Sequence, residues 1–447
     1  MESTNKTSRR RFLGNTAAIG AVGAMGAAQL IRSCSSGGET TGTVEEPVIL
    51  PIAPDGEPLK AGVVGCGGRG SGAALNFIDA GPNLSVVALA DVFQDKLDGI
   101  RKKLKDERNV EVDDANVFLG FDGFKRLLET DVDVVILATP PYFRPEHFQA
   151  CVEARKHVFM EKPVAVDPVG ARAIMAASKQ AEAAGLSVVT GTQRRHSWDY
   201  NNVLARVRAG MIGEPVATNV YWNQSKLWHR EKQPDWTEME YMIRDWVNWT
   251  WLSGDHIVEQ HIHNIDISNW FLGKVPQEAV GMGSRQRRIT GDCYDNFSVD
   301  FVYEGDVHMH SMCRQINDCA NYVGELIRGT RGYTNPAGTI WDTDGNVLYE
   351  YQPTMDEQGE NIDNNDYVQE HIDLVNAIRT GNQIVEAEET ARTNLTAIMG
   401  REAAYTGKQM TWDEMMASGM KLGPEGELTM GPVDIEAVIP VPGSAPE

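Results

Sequence analysis

The stretch that decides the fold is LKAGVVGCGGRG, residues 59–70, where a short apolar run passes directly into a glycine-rich turn. The apolar run predicts a buried strand, and the segment that follows it, residues 71–80, predicts a helix. Further apolar runs, separated by amphipathic segments of helical length, are LSVVALAD, VDVVILATP, KHVFMEKP and LSVVTG. Continuously apolar strands are typical of a parallel sheet with helices on both faces. Residues 58–190 are therefore predicted to form a doubly wound α/β domain.

The pattern changes after Gly191. Runs such as GEPVATNVYW and DNFSVDFVYE alternate apolar and polar residues, which predicts a large, mostly antiparallel sheet. Residues 365–381 and 387–408 predict two long amphipathic helices, each ended by a glycine. We expect a second α/β domain over residues 191–422, and a tail, residues 423–447, that wraps over the surface or is disordered.

Residues 1–57 are predicted to be a signal and linker. The arginine cluster Arg9–Arg11 precedes a weakly apolar run of glycine and alanine, which resembles a twin-arginine export signal more than a membrane anchor. Cys34 lies in a context that resembles a lipoprotein processing site, although Arg32 departs from that pattern. Lipid attachment at Cys34 and cleavage near Ala28 both remain open. The polar segment that follows, SSGGETTGTVEEP, predicts a flexible tether to a protein in the periplasm or cell envelope.

Charge and cysteine content exclude several classes of protein. The formal net charge of −22 would repel nucleic acid and anionic membrane surfaces. No pair of cysteines has the C-x-x-C spacing of a zinc ribbon or a redox motif. A protein exported in the folded state folds in the reducing cytoplasm, so we expect small buried thiols. The expectation concerns the five cysteines other than Cys34, which are Cys66, Cys151, Cys293, Cys313 and Cys319.

The glycine-rich turn has the spacing of a dinucleotide-binding loop. Its glycines allow a tight turn and a close approach of the backbone to a pyrophosphate at the helix N-terminus. Asp91 ends the next predicted strand, where a carboxylate can accept hydrogen bonds from ribose hydroxyls and repel a 2′-phosphate. NAD is therefore favoured over NADP, with a helix cap as the alternative role for Asp91. The loop residues expected to contact the cofactor are Gly65, Cys66, Gly67, Gly68, Arg69 and Gly70.

A second motif, MEKPVA, follows the strand that contains HVF. A lysine at a strand's carboxyl end can donate to a substrate oxygen and stabilise alkoxide charge, although an isolated lysine there would be an ordinary surface residue. The ordered set of motifs resembles the Gfo/Idh/MocA oxidoreductase family over about residues 58–410. The resemblance implies a Rossmann domain and a second domain whose open sheet forms a dimer or tetramer. Its further motif residues are Thr139, Pro140, His147, Glu161, Lys162 and Pro163. Of these, the resemblance implies that Thr139, Pro140, Glu161 and Lys162 contact the cofactor.

The stretch GDHIVEQHIHNID, residues 254–266, carries three histidines. The resemblance implies that His263 is the catalytic acid/base and that Glu259, in place of the usual aspartate, orients it. Four residues apart, the two would share one helix face with His256, a candidate substrate contact, whereas His261 points elsewhere. A neutral imidazole can take a carbinol proton while hydride leaves. A metal site and purely structural histidines remain alternatives; no metal is predicted.

Eight of the ten tryptophans lie between Trp198 and Trp270. Residues 228–254 look like an insertion beside the substrate, where indoles stack on sugar faces or simply fill the core. Candidate substrate contacts are Arg195, Arg244 and Asp245.

The sequence thus predicts an exported NAD(P)-dependent oxidoreductase that acts on a carbohydrate or cyclitol hydroxyl, with Lys162 polarising the substrate oxygen. Because the twin-arginine route exports folded protein, the cofactor is expected to travel tightly bound. Two alternatives remain. One is an NAD-dependent glycoside hydrolase that oxidises its substrate only transiently. The other is a non-catalytic sugar-binding lipoprotein, against which the retention of both Lys162 and His263 argues.

Replacing Arg10 and Arg11 with lysine should retain the protein in the cytoplasm, because the export receptor recognises the two guanidinium groups rather than their charge. Fractionation of cells followed by immunoblotting measures the distribution. The matched control replaces Arg32 with lysine, which should leave export unchanged. Normal export of the doubly substituted protein would contradict the twin-arginine assignment.

Overall fold

The computed structural model of the chain describes residues 42–443. The predicted export signal, Cys34 and the first part of the predicted tether lie outside this range. Within it, none of the helices combines the length and the apolarity that a transmembrane span requires. The last residues of the predicted tether differ from expectation, because Glu46 forms an ion pair with Arg206 at 2.8 Å and Gly42 donates to the carbonyl of Ala209.

The first sheet has six parallel strands in the order β3-β2-β1-β4-β5-β6, the Rossmann order. Its centre is fully covered, since every residue of the fourth strand is buried. The doubly wound domain predicted from continuous apolar runs is confirmed. The strands are β1 (Leu59–Val64), β2 (Leu84–Asp91), β3 (Val117–Leu119), β4 (Val134–Leu137), β5 (His157–Met160) and β6 (Val188–Thr190).

The helices of the first domain connect these strands, and the glycine-rich turn sets where the first of them begins. Gly65 has φ of 91°, which favours glycine, and a Cβ on Gly70 would lie 1.8 Å from the Gly65 carbonyl oxygen. The helix can therefore begin pressed against the end of β1. The helices are α1 (Gly68–Asp79), α2 (Gln94–Arg108), α3 (Gly123–Leu128), α4 (Arg144–Glu153) and α5 (Pro168–Ala183).

The second sheet has nine strands in the order β14-β13-β12-β11-β7-β10-β9-β8-β15. Only β7 and β10 pair in parallel, so the prediction of a mostly antiparallel sheet is confirmed. Alternate residues of β9 are buried, which leaves the other face of the sheet open. The strands are β7 (Pro215–Gln224), β8 (Glu278–Ser284), β9 (Asn296–Tyr303), β10 (Val307–Gln315), β11 (Tyr322–Gly329), β12 (Gly332–Asn335), β13 (Thr339–Asp342), β14 (Val347–Glu350) and β15 (Met410–Thr411).

Two of the remaining helices join the second domain to the first. The long helix α12 packs against β8 and β9 and also against α5, while α11 packs against α1 and β6. The predicted domain boundaries at residues 190 and 422 remain a prediction. The helices are α6 (Trp198–Arg208), α7 (Glu238–Arg244), α8 (Thr250–Ser253), α9 (His256–Glu259), α10 (Ile262–Leu272), α11 (Asp366–Thr380), α12 (Ala387–Thr406) and α13 (Trp412–Ala417).

The described part of the tail, up to residue 443, wraps over the surface, one of the two outcomes expected. The amide of Met239 donates to the carbonyl of Gly431 at 3.1 Å, and the Tyr294 hydroxyl donates to the carbonyl of Pro440 at 2.6 Å. The tail is thereby fixed to the segment between β7 and α9.

The five cysteines among residues 42–443 are free thiols, and four of them are buried as expected. Cys319 is exposed, in the turn between β10 and β11.

Candidate active site

The glycine loop and the end of β2 form one side of a cavity of about 370 Å³. The carboxylate of Asp91 accepts hydrogen bonds from the backbone amides of Cys66 at 2.6 Å and Phe93 at 2.9 Å. These bonds hold one edge of the carboxylate against the loop and leave lone pairs on each oxygen. Burial raises the pKa of Asp91, against the opposing effect of the two amide donors.

The residues that line the cavity are suited to bind part of a dinucleotide. A Cβ at Gly67 or Gly68 would meet no atom within 4 Å, so the space beside the start of α1 is open to a ligand. Asp91 lies where a ribose would be held, and Thr139 and Pro140 line the same cavity from the end of β4. These features match the sequence expectation for NAD and place the helix N-terminus where a pyrophosphate binds.

Three other predicted cofactor contacts have local partners instead. The Arg69 guanidinium donates to the Glu161 carboxylate, so these two predicted contacts bind each other. The guanidinium also lies 4.6 Å from the Tyr367 ring centroid. The Cys66 side chain is buried against the carbonyls of Val63 and Ala90, and only its backbone amide reaches Asp91. Neither Arg69, Glu161 nor Cys66 lines the cavity.

The catalytic candidates converge at the carboxyl end of β5. The Lys162 ammonium donates to the backbone carbonyl of Glu259 at 2.5 Å and lies 3.5 Å from its carboxylate. His263 stacks on Trp222, with ring centroids 5.5 Å apart and planes 25° apart. Burial, followed by the positive charges of Lys162 and Arg194, lowers the pKa of His263 well below its ordinary value. The site therefore pairs an ammonium with a neutral imidazole.

The prediction that Glu259 and His263 share one helix is wrong. Helix α9 ends at Glu259 and α10 begins at Ile262. In a continuous helix the Glu259 carbonyl would accept from the His263 amide, but the ammonium of Lys162 takes that carbonyl. The His263 amide bonds instead to the carbonyl of Gln260 at 3.4 Å. Lys162 thus replaces the helical hydrogen bond.

The predicted orienting contact is also not formed. The Glu259 carboxylate accepts from the Gln260 amide group at 2.6 Å and faces Lys162. Within the part of the chain that the structure describes, it makes no hydrogen bond to His263. The imidazole of His263 is held by its contact with Trp222, a residue that sequence reasoning did not single out because its strand pattern predicts core packing.

The other two histidines of the stretch are structural. His256, predicted as a substrate contact, is fully buried; its Nδ1 lies 3.0 Å from Asp255 Oδ1. The Nε2 atom of His261 lies 2.8 Å from the Ser311 hydroxyl, and burial lowers the pKa of His261 to about 3. Among residues 42–443, no group of three or more His, Cys, Asp or Glu side chains is arranged to hold a metal ion.

The predicted substrate contact Arg195 is engaged elsewhere. It binds Asp266 through two hydrogen bonds of 2.7 and 2.8 Å. Its neighbour Arg194 faces the site instead: it pairs with Glu325 and lies 5.6 Å from the Trp222 ring centroid. The sequence QRRH indicated that an arginine lies at the site. It did not show whether that residue is Arg194 or Arg195.

Two further predicted substrate contacts also lie elsewhere. Asp245 is fully buried and accepts from the backbone amide of Arg230 at 2.7 Å and the side chain of Asn248 at 2.8 Å. Arg244 lines the cavity beside Asp91 rather than the Lys162–His263 pair. The inserted segment therefore contributes to the cavity of the first domain.

Fold and site together define an NAD-dependent oxidoreductase, and comparison with known proteins agrees. The family model described as "Oxidoreductase family, NAD-binding Rossmann fold" matches residues 59–190, and that of the "GFO/IDH/MocA C-terminal domain" matches residues 200–334. The two models belong to one family and together span more than half of the chain. The chain belongs to the Gfo/Idh/MocA family.

Among individual relatives, an inositol 2-dehydrogenase of Rubrobacter xylanophilus is 27% identical over 279 residues, covering 62% of this chain and 71% of the relative. A "Glycosyl hydrolase family 109 protein" of Streptomyces coelicolor is 28% identical over 169 residues, covering 37% and 35%. The fold is similar to that of scyllo-inositol dehydrogenase from Lactobacillus casei, solved with NAD(H) and scyllo-inositol. That match has a TM-score of 0.59 at 21% identity, covering 81% of this chain and all of the other.

Replacing Asp91 with serine should weaken NAD binding and strengthen NADP binding, because the carboxylate that repels a 2′-phosphate is removed. Fluorescence titration with each reduced cofactor measures both affinities. The matched control is Asp98→Ser, an exposed position on α2 outside the cavity, which should change neither affinity. Equal affinity of the unsubstituted protein for both cofactors would contradict the role of Asp91.

The acid limb of the kcat/KM profile for alcohol oxidation should lie below the ordinary histidine range, because the pKa of His263 is lowered and the base form persists as pH falls. Arg194→Gln removes one of the cations responsible, so the pKa of His263 should rise and the limb should move to higher pH. Arg194→Lys keeps the charge and serves as the control. A limb that stays in place in the glutamine variant would rule out this electrostatic account.

Proposed function

We propose that this protein oxidises a secondary hydroxyl of a cyclitol or pyranose sugar, with NAD as hydride acceptor. The observation that carries the proposal is the convergence of the Lys162 ammonium and the neutral His263 imidazole at the carboxyl end of the cofactor-binding sheet. A neutral imidazole can accept a carbinol proton, and an ammonium can stabilise the alkoxide charge that develops.

Each residue has a separate task. Lys162 donates a hydrogen bond to the substrate oxygen and stabilises the negative charge that develops on it. His263 accepts the proton of the hydroxyl group. NAD would be held by the glycine loop and Asp91 and would supply the hydride acceptor for the carbon that bears this hydroxyl. A lowered pKa makes His263 a weak base, so proton transfer depends on the acidifying effect of Lys162 on the hydroxyl. The two residues therefore act on one step.

Glu259 has a different task from the one predicted. Its carbonyl and carboxylate both face Lys162, so it is a positioning residue for the ammonium. The buried carboxylate also offsets part of the positive charge at the site.

The substrate class is supported by similarity to the Rubrobacter xylanophilus protein, which is named an inositol 2-dehydrogenase. Export to the periplasm or cell envelope, with or without a lipid on Cys34, is a proposal that rests on the sequence around Arg9–Arg11. A homo-oligomer is proposed from the open face of the second sheet, where Met282 and Tyr322 are exposed apolar side chains.

A second candidate is NAD-dependent glycoside hydrolysis, which similarity to the glycosyl hydrolase family 109 protein favours. In that case the hydroxyl would be oxidised only transiently, and a glycoside would be cleaved without net reduction of NAD. Following nicotinamide absorbance and free sugar in the same reaction distinguishes the two functions. A non-catalytic binding protein would not need Lys162 and His263 together.

His263→Ala and Lys162→Ala should each lower kcat for oxidation of an inositol by about 10²–10⁴-fold, since each removes a group that acts in the transition state. The double variant should lose far less than the product of the two factors, because both groups serve one step. Steady-state kinetics measure kcat, and fluorescence titration checks that NAD still binds. The control is His308→Ala, half-exposed on the open sheet face.

Full activity of the His263 variant would contradict the proton-transfer role. The metal alternative makes an opposite prediction: exhaustive chelation would abolish activity, whereas proton transfer requires that the chelated protein remain fully active.

A further inference from the structure

The cavity beside Asp91 has two walls from different parts of the chain. One wall consists of the strand ends and loops of the first sheet, including Gly67, Asp91 and Thr139. The other comes from the segment between β7 and α9, which we call the cover segment (residues 225–254). Its cavity-lining residues are Trp228, Arg230, Ile243, Arg244 and Trp246.

Arg244 joins the cover segment to the loop that carries Asp91. Its guanidinium donates to Asp95 at 2.9 Å and lies 3.9 Å from the centroid of the Phe93 ring. The Nε atom of Arg244 also donates to the carboxylate of Glu240, on the same helix α7, at 2.8 Å. The hydrogen bond from Arg244 lowers the pKa of Asp95, so this ion pair persists at neutral pH. Phe93 and Asp95 follow Asp91 within four residues, so the connection lies at the ribose position itself.

Apolar packing fixes the cover segment on both sides of that ion pair. Phe93 and Phe143, from the loops after β2 and β4, share one cluster with buried residues of the segment. Tyr142 packs edge-on against Trp251, with ring centroids 4.9 Å apart. Lifting the segment would expose this cluster to water. Its members from the cover segment are Met239, Met242, Ile243, Trp249, Trp251 and Leu252.

The enclosed part of the site is the adenosine half. The cavity includes Asp91 and the loop after β4, whereas neither Lys162 nor His263 lines it. Three cations, Lys96, Arg230 and Arg244, also line this cavity. Lys96 and Arg244 are both paired with Asp95, at 3.3 and 2.9 Å, and Arg230 lies over the Trp228 ring.

We propose that the cover segment binds the adenosine half of NAD against the first domain and retains the cofactor between turnovers. The substrate reaches the nicotinamide end of the cofactor separately, from the side of Lys162 and His263. Release of NAD then requires the Arg244–Asp95 pair and the apolar cluster to open, which slows dissociation. The inference rests on NAD as the cofactor but on no particular sugar.

The test measures NADH dissociation, not turnover. The purified protein is loaded with NADH and mixed with excess NAD, and the loss of bound NADH fluorescence gives the rate constant. Arg244→Ala should raise that rate constant about three- to tenfold, because it removes both the packing of the guanidinium on Phe93 and the ion pair with the half-exposed Asp95. Trp228→Ala should raise it as well. Trp228 is 45% exposed, so this second variant removes a cavity wall without a cavity in the core.

The matched control is Arg392→Ala, which breaks the Arg392–Glu388 pair on α12, far in the fold from the cavity. Its NADH release should equal that of the unsubstituted protein. Rapid exchange of NADH by the unsubstituted protein, or unchanged release from both folded cavity variants, would overturn the inference. A protein that retains NADH but oxidises no sugar would instead contradict the proposed function alone.

Discussion

The hydrogen bond from the Lys162 ammonium to the backbone carbonyl of Glu259 connects the two halves of the candidate active site. Lys162 follows the fifth strand of the first sheet, whereas Glu259 ends a short helix that packs against α12. In a continuous helix the same carbonyl would accept from the His263 amide, and here the helix is broken at Gln260 and Lys162 is its donor instead. That break sets where α10 begins and therefore where His263 lies.

The charges around His263 follow from the same arrangement. Lys162 and Arg194 are both close enough to lower the pKa of the imidazole, and Glu259 and Glu325 each pair with one of these cations. The carboxylates thus balance the cations rather than the imidazole. A base that remains neutral beside an ammonium is suited to a reaction in which the substrate oxygen acquires its negative charge next to Lys162.

Much of the fold could be predicted because its signals are local. The continuous apolar runs of the first sheet and the alternating pattern of β9 each depend only on which faces a strand buries. The ordered motifs also indicated that Asp91 ends a strand, that Lys162 follows one and that His263 lies on a helix, as the structure shows. The predictions that were wrong concern contacts for which residues distant in sequence compete. No local pattern shows that a lysine 97 residues away will take the Glu259 carbonyl.

The choice between Arg194 and Arg195 likewise depends on Asp266, which binds Arg195 and leaves Arg194 to face the site. Asp245 and His256 were polar residues in a tryptophan-rich segment, and their burial follows from partners on other elements. Arg244 was expected at the substrate because its tryptophan-rich segment was interpreted as an insertion there, and the sequence does not show which neighbour that segment meets.

The parallel pairing of β7 with β10 has a consequence for biosynthesis. β7 carries Trp222, the residue under His263, and lies between β10 and β11. Both partners are translated some ninety or more residues later, so a ribosome-bound chain holds this strand with neither native neighbour until residues 307–329 emerge. Closing such a long-range pairing is entropically costly and slow. The nascent protein therefore passes through a lengthy interval with an unpaired, aggregation-prone strand, in which chaperone capture competes with folding.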